Sequence, residues 1–247
     1  MSDRSSPAAS RRATPAGVTA PSVPRRSGSN VGSLIAVYGA RAHVGVTTIA
    51  SSLALAFRAL GSDDVALAEL DPRTARARAA SARGEEGRDA GSGSDRLPIP
   101  GVDAAMVRRP DGVWTFTTAR SRSSAVSDAK TVTLALDTVR GQFAVSVAEL
   151  ERQVNERTLA AFDAADRILL VTEGAVPSIR GTQRVLRLCR RLNYPDEKLC
   201  VVVNRFDAPG VLPVADIAVA LKREIYWRIP DDPDLTMDGL AQRLLAE

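Results

Sequence analysis

The feature that most constrains the fold of this chain is a short apolar run that leads through a loop into a helical pattern. Residues 34–38 have the continuous apolar character of a buried strand, and residues 39–48 separate them from an Ala- and Leu-rich stretch at 49–60. Gly61 follows where a glycine commonly ends a helix. This order is typical of α/β folds, in which ligands bind at the carboxyl ends of the strands.

The loop matches half of the template G-x-x-x-x-G-K-[ST]. In that template backbone N–H groups surround phosphates, a lysine neutralises them and a hydroxyl binds Mg²⁺. Gly45 and Thr47 fit, whereas Ala40 and Val46 occupy the places of the first glycine and of the lysine. Amide groups and the dipole at the start of the next helix still favour an anion. The sequence therefore predicts a phosphate-binding loop that lacks its cation.

Apolar runs and helical patterns alternate along the chain, as in parallel sheets with right-handed crossovers. We predict an α/β fold with a doubly wound, mainly parallel sheet of about seven strands and helices on both faces, in three layers. The predicted strands are residues 34–38, 65–70, 113–117, 131–136, 167–172, 199–203 and 225–229. The predicted helices are residues 48–60, 147–162, 178–192 and 214–224.

Charge and composition indicate one domain preceded by a basic tail. Residues 1–30 hold five arginines and one aspartate, which gives +4 and equals the net charge of the whole chain. This Ser-, Pro- and Arg-rich tail is expected to be disordered, and it either contacts DNA, an anionic surface or an acidic partner, or stays solvated. We expect residues 31–247 to form the domain. Residues 72–111 form a low-complexity insertion, either a mobile, arginine-bearing arm beside the nucleotide site or a segment without function.

Other sequence signals narrow the class of protein. Cys189 and Cys200 are too few for a disulfide framework or a metal cluster, and we expect both to be core residues. No apolar run approaches the roughly 18 residues needed to cross a bilayer, and the start lacks the apolar region of a signal peptide. We expect a cytoplasmic protein, with a peripheral position at the membrane or the cell pole as an option.

Four segments in order resemble the MinD/ParA family of deviant Walker ATPases. They are residues 40–48, against the family's x-K-G-G-V-G-K-T-T, and residues 65–72, 166–173 and 201–207. The resemblance extends over about residues 33–233 and is strongest to the CpaE/TadZ branch linked to pilus assembly. It implies a P-loop NTPase fold, ATP and Mg²⁺ as cofactors, and a homodimer.

The same resemblance assigns roles to individual residues. Asp71 matches the acidic residue that positions the attacking water, and Arg41 replaces a signature lysine that reaches the partner's phosphates. Thr47 matches the Mg²⁺-binding hydroxyl, and Asp137 a carboxylate that reaches the metal through water. Taken singly, such strand-end carboxylates are also common without any function. The implied nucleotide- and phosphate-binding set is Ala42, His43, Val44, Gly45, Val46, Thr47, Thr48, Asn204, Arg205, Pro230 and Asp231.

The departures from the family pattern bear on which of three functions the chain has. The chain has only three lysines, and none lies near the loop. Since phosphoryl transfer depends on positioning and charge neutralisation, we expect weak or absent hydrolysis. The leading hypothesis is a localisation or assembly scaffold with an impaired nucleotide site, serving pilus, secretion or division machinery. The alternatives are a slow, dimeric ATP-hydrolysing switch and a partition-type protein that binds DNA non-specifically through its arginines.

Overall fold

The computed structural model describes residues 31–62, 64–73, 96–102, 104–117, 128–232, 234 and 236–246. The predicted basic tail lies outside these residues. The described residues form one nine-stranded sheet with helices on both faces, which confirms the α/β class with two more strands than predicted. The strands are β1 Ser33–Gly39, β2 Val65–Glu69, β3 Arg96–Pro98, β4 Ala105–Arg108, β5 Trp114–Thr117, β6 Val145–Glu149, β7 Arg167–Thr172, β8 Leu199–Asn204 and β9 Trp227–Ile229. The helices are α1 Val46–Ala59, α2 Ala129–Gln142, α3 Glu156–Ala164, α4 Val176–Arg191, α5 Val214–Leu221 and α6 Asp238–Ala246.

The strand order places the loop near the middle of the sheet. The order is β3-β4-β5-β2-β6-β1-β7-β8-β9, and every pairing is parallel except those of β4 with its two neighbours. β1 lies between β6 and β7, so its carboxyl end is flanked by the ends of two parallel strands. The carboxyl ends of parallel strands meet at one edge of a sheet. The residues that follow β1, β2, β6 and β8 therefore lie close together.

Two apolar layers cover the faces of the sheet. Leu34, Ala36 and Tyr38 of β1 belong to the layer that packs against α2 to α5, while Ile35 and Val37 belong to the layer beneath α1 and α6. Side chains alternate along a strand, so a strand covered on both faces must be apolar throughout. This explains the unbroken run of β1. No helix among the described residues is both long and apolar enough to span a membrane.

The predicted strand at residues 131–136 is wrong, because these residues belong to α2. The Asp128 carboxylate accepts a hydrogen bond of 2.8 Å from the Thr131 amide and caps the helix. Val132, Leu136 and Val139 are buried at helical spacing. Asp137 is therefore an exposed residue in mid-helix rather than the end of a strand, which removes the basis for its predicted contact with a metal.

The predicted helix at residues 147–162 is wrong in its first part. Val145–Glu149 forms β6, which lies between β1 and β2 in the middle of the sheet. The helix α3 begins only after Asn155, whose side chain accepts a 3.0 Å hydrogen bond from the Thr158 amide. The polar residues Ser146 and Glu149 interrupt the apolar pattern that marks the other buried strands.

Part of the predicted insertion forms regular structure. Arg96–Pro98 and Ala105–Arg108 make an antiparallel pair at one edge of the sheet, and Ile99 and Met106 are buried. Residues 74–95 of the same segment lie outside the described part of the chain. The sheet therefore continues two strands beyond β5 on that side.

Candidate functional site

The loop between β1 and α1 depends on two glycines. Gly45 has φ 96° and stands directly before α1, in a left-handed conformation that glycine adopts without strain. At Gly39 an added Cβ would lie 2.5 Å from Val44 Cγ2 and 2.7 Å from Val46 Cγ2. The loop thus folds back tightly over the end of β1, and the side chain of Val46 packs across Gly39.

The end of β8 holds the loop from beneath. Asn204 is 9% exposed, and its Nδ2 donates a 3.0 Å hydrogen bond to the carbonyl oxygen of Val44. The guanidinium of Arg205 donates a 2.6 Å hydrogen bond to the carbonyl of His43 and also bonds the Glu173 carboxylate. Asn204 and Arg205, which the resemblance places beside a nucleotide base, therefore contact the loop backbone in this structure.

Below the first turn of α1 lies a carboxylate that the sequence analysis did not identify. Thr47 Oγ1 donates a 2.5 Å hydrogen bond to Glu149 Oε1, and Glu149 is 1% exposed at the end of β6. Glu149 occupies the strand-end position predicted for Asp137. A hydroxyl and a carboxylate are the hard oxygen ligands that Mg²⁺ prefers. The pair Thr47–Glu149 is thus the candidate metal-binding pair.

A signal for Glu149 was present in the sequence. Residues 65–71 read Val-Ala-Leu-Ala-Glu-Leu-Asp, and residues 145–151 read Val-Ser-Val-Ala-Glu-Leu-Glu. The two segments form the adjacent strands β2 and β6, and they pair in exact register so that Glu69 lies opposite Glu149. Comparison of the two segments would have identified β6 as a strand that ends in an acidic residue.

An open pocket with a volume of about 430 Å³ lies over the loop. All loop residues from 41 to 48 line it, so it contains Arg41, Val46 and Thr47, and Asp71 and Arg205 line it as well. Asp137 is not part of its lining. Three further predicted residues also stay outside it, namely Asn204, Pro230 and Asp231.

Pro230 and Asp231 follow β9 and lie beside the segment after β8. The amide of Asp231 donates a 2.7 Å hydrogen bond to the carboxylate of Asp207, and the amide of Phe206 bonds the carbonyl of Ile229 at 3.1 Å. These contacts fix the two segments to each other. A role for Pro230 and Asp231 beside a base stays a prediction.

The pocket is positively charged although Val46 contributes no charge. Its lining includes Arg152 after β6, which the sequence analysis missed, and Arg73 after β2, which belongs to the predicted arm at residues 72–111. With Arg41 and Arg205 they make four guanidinium groups against the two carboxylates of Asp71 and Glu149, a formal excess of two positive charges. No pattern near the loop reveals Arg152, because it reaches the pocket only through the pairing of distant strands.

The segment after β6 is held firmly in place. Tyr38, buried in the core, donates a 2.7 Å hydrogen bond from its hydroxyl to the carbonyl of Arg152. Burial raises the pKa of Tyr38 to about 12, so the hydroxyl stays a donor at neutral pH. The amide of Leu150 bonds the carbonyl of Val37 at 3.0 Å. Together these bonds position the backbone of Arg152 against the end of β1.

A charged network lies next to this segment. The Glu151 carboxylate accepts a 2.9 Å hydrogen bond from Asn155 Nδ2 and forms an ion pair with Arg157. Burial lowers the pKa of the Arg157 guanidinium, and the nearby charge of Asp71 opposes that change. The network connects α3 to the side of the pocket that Asp71 lines.

The residues of the loop and the end of β6 fit a phosphate group and Mg²⁺ in all but one respect. The left-handed turn at Gly45 and the start of α1 present backbone amides, and Thr47 with Glu149 supplies metal-binding oxygens. No group of three or more His, Cys, Asp or Glu among the described residues could hold a metal by itself. A cation here would therefore share its ligands with phosphate oxygens, as Mg²⁺ commonly does. The misfit is the apolar side chain of Val46.

Comparison with known proteins identifies the fold. No protein-family model matches the chain. A segment of 76 residues is 37% identical to the septum site-determining protein MinD of Thermotoga maritima, and it spans 29% of this chain and only 28% of that protein. The MinD cell division protein of Aquifex aeolicus superposes with a TM-score of 0.63 at 22% identity, over 87% of this chain and 98% of that chain.

Two further structures extend the comparison. MinD of Pyrococcus horikoshii, in complex with Mg-ADP, gives a TM-score of 0.61 at 14% identity over 82% of both chains. A ParA family ATPase from Chlorobium tepidum gives 0.60 at 15% identity, over 83% of this chain and 86% of that one. At such identities the similarity establishes the fold and leaves the activity of this chain to its own residues.

Proposed function

From the premise that the chain has the fold of the MinD/ParA P-loop ATPases, we propose that it is a nucleotide-binding protein with impaired hydrolysis. It binds the phosphates of ATP with Mg²⁺ over the loop, and it acts as a localisation or assembly scaffold. The resemblance of about residues 33–233 to the CpaE/TadZ-like branch supports pilus, secretion or division machinery as the partner. A homodimer and a location in the cytoplasm or at its membrane surface belong to the same proposal.

The observation that carries this proposal is that the loop keeps its amide turn and hydroxyl but has an apolar side chain in place of the lysine. Gly45 and Thr47 keep the amide turn and the hydroxyl, while Val46 packs its methyl group over Gly39 at the place of the lysine. Phosphoryl transfer relies on charge stabilisation, and single cationic groups contribute on the order of 10³-fold or more in rate. Binding, by contrast, draws on many backbone amides and survives the loss of one charge. The site is expected to bind nucleotide and turn it over slowly.

The residues that would hold Mg²⁺ are Thr47 and Glu149. When bound, Mg²⁺ would neutralise phosphate charge. The chain itself orients the phosphates with the amides around Gly45 and presents the Thr47 hydroxyl above the buried Glu149 carboxylate. Because these two oxygens are 2.5 Å apart, they already occupy adjacent positions suited to one cation.

A second candidate function, a slow ATP-hydrolysing switch, rests on Arg41 and Asp71. Both line the pocket, and Asp71 follows β2 at the same sheet edge as Glu149. Arg41 is exposed, and the loop around it packs on α4, where a Cβ at Gly181 would lie 3.0 Å from Ala40 Cβ. An exposed arginine at the pocket is available to a second subunit. In this version Asp71 is essential for turnover, and Asp71→Ala abolishes it.

Calorimetric titration of Mg-ATP into the whole chain, together with a phosphate-release assay, tests the proposal. We expect a dissociation constant below about 1 mM and turnover far below the usual range of about 1–10³ s⁻¹. Thr47→Ala should weaken binding in Mg²⁺ and leave the weaker, metal-free binding unchanged. Asp137→Ala is the matched control, because Asp137 is an exposed acidic residue on α2.

Three results would count against the proposal. Failure of Mg-ATP to bind would exclude a nucleotide-dependent scaffold. Turnover in the ordinary range would show that the loss of the lysine does not impair hydrolysis. If Asp137→Ala weakened binding as much as Thr47→Ala did, the assignment of the metal-binding pair would be wrong.

A further inference from the structure

Three of the four arginines that line the pocket are not committed to other groups. Within the described residues the guanidinium groups of Arg41, Arg73 and Arg152 form no hydrogen bond or ion pair, whereas that of Arg205 bonds Glu173 and the loop. An uncommitted guanidinium beside a helix N-terminus is a strong attractor of phosphate. The pocket thus has positive charge available for a ligand.

Arg152 is the best-positioned of the three. Its carbonyl accepts the Tyr38 hydrogen bond, and it follows Glu149 by three residues on a segment that β6 and β1 hold. Its side chain is exposed and lines the same pocket as Thr47. Because the backbone is already fixed, binding an anion here orders only the side chain of Arg152.

Arg41 and Arg73 are placed differently. Arg41 belongs to the exposed part of the loop, and Arg73 is exposed and follows the end of β2 by four residues. The backbone amide of Arg73 bonds the Asp71 carboxylate at 2.8 Å, which ties that residue to an acidic neighbour. The comparison singles out Arg152 as the arginine that the strands themselves position.

We propose that Arg152 binds a phosphate group over the loop and provides the positive charge that Val46 cannot. The assignment rests on the proposed phosphate site and names the residue that completes it. In the usual template the charge comes from the loop itself, whereas here it comes from the segment that follows β6. A guanidinium also offers two parallel N–H groups to phosphate, so its geometry differs from that of a lysine. The metal-binding carboxylate and the phosphate-binding cation then lie three residues apart on one rigid segment.

The test uses two probes, sodium tripolyphosphate and Mg-ATP, titrated calorimetrically into the full chain. Arg152→Ala should weaken binding of both by about 10- to 100-fold, the usual effect of losing a charged hydrogen bond. Arg152→Lys should bind with intermediate affinity, because it keeps the charge and loses the paired N–H groups. Arg184→Ala, on the exposed face of α4, makes the same change in net charge and should leave affinity within about twofold.

A rescue experiment makes the assignment specific. In the Arg152→Ala background, Val46→Lys restores the template lysine and should regain at least about tenfold in tripolyphosphate affinity. Thermal unfolding of Arg152→Ala and Arg152→Lys should stay within about 2 °C of the parent, since Arg152 is exposed. Where Val46→Lys fails to fold, the Arg152→Lys variant gives the same answer on its own, because partial retention of affinity identifies a charge at that position.

The outcomes separate this proposal from the function on which it rests. If the parent binds Mg-ATP and Arg152→Ala binds equally well, the role of Arg152 is refuted and the nucleotide site stands. Equal losses in Arg152→Ala and Arg184→Ala also refute it, since they indicate diffuse charge. If the parent binds tripolyphosphate with an Arg152-dependent affinity but does not bind Mg-ATP, Arg152 is confirmed and the nucleotide function fails. If neither probe binds, both proposals are wrong.

Discussion

The substitution Gly45→Ala provides the sharpest test of how the loop is built. Gly45 has φ 96°, and a Cβ on it would lie 2.4 Å from Asn204 Nδ2. Asn204 cannot move away freely, because it is buried and bonds the carbonyl of Val44. The substitution therefore strains the backbone and breaks a buried hydrogen bond at the same time.

The two effects have separable magnitudes. A left-handed conformation costs an alanine about 1–2 kcal/mol, which is partly offset because alanine restricts the unfolded chain. Loss of the Asn204 hydrogen bond, with a buried amide left unsatisfied, adds about 1–3 kcal/mol. The expected decrease in the free energy of unfolding is thus about 2–4 kcal/mol in total. Mg-ATP affinity should fall as well, because the amides before α1 move.

Gly61 supplies a matched control. Its φ is 92°, and an added Cβ would meet nothing within 4 Å, so Gly61→Ala carries the backbone strain alone. Urea unfolding of both variants, followed by circular dichroism, gives the difference that belongs to Asn204. In an Asn204→Ala background the additional cost at Gly45 should vanish. Equal destabilisation by Gly45→Ala and Gly61→Ala would refute the claim that Asn204 supports the loop.

Three further predictions concern the core around the site. In α2, Leu136 is buried and Leu134 is 40% exposed, so Leu136→Ala should destabilise by about 2–5 kcal/mol and Leu134→Ala by far less; equal losses in urea unfolding would favour a strand. Arg140 bonds the carbonyls of Gly32 and Ala164 and the Asp166 carboxylate. Arg140→Ala should therefore lower the free energy of unfolding by about 2–4 kcal/mol. A change within about 0.5 kcal/mol, the usual scatter of surface substitutions, would contradict this role. The pKa of Tyr38 rises from 10.0 to about 12 on folding, so stability present below pH 10 should fall between pH 10 and 12; Tyr38→Phe should remove that part of the pH dependence, and an unchanged profile would argue against the buried hydroxyl.

The first strand, loop and helix could be predicted because their signals are local. An apolar run, a loop with Gly45 and an Ala-rich amphipathic stretch each follow from neighbouring residues, and β1 and α1 appear almost as expected. The same local rules failed at α2, where Thr131, Val132 and Thr133 imitate the β-branched alternation of a strand. There the Asp128 cap and burial at helical spacing determined the structure.

The site was harder to predict than the fold, because its parts come together through strand order. Glu149 was not identified because the helix predicted at residues 147–162 places it in a first helical turn, and the strand predicted at residues 131–136 points to Asp137 instead. Arg152 carries no local signal at all, whereas Arg73 belongs to the segment predicted as an arginine-bearing arm beside the loop. They reach the pocket only because β6 pairs with β1 and β2 pairs with β6, an order that depends on the whole sheet.

The support of the loop by β8 has a consequence for how the chain acquires its pocket. Asn204 and Arg205 bond Val44 and His43, which lie 160 and 162 positions earlier in the chain. During synthesis the loop therefore leaves the ribosome long before the residues that support it. Contacts of such long sequence separation form late in folding. A nascent chain that ends before β8 contains the loop residues 39–48 but lacks the hydrogen bonds from Asn204 and Arg205 that support the loop. Phosphate affinity should therefore arise only after the second half of the sheet has assembled.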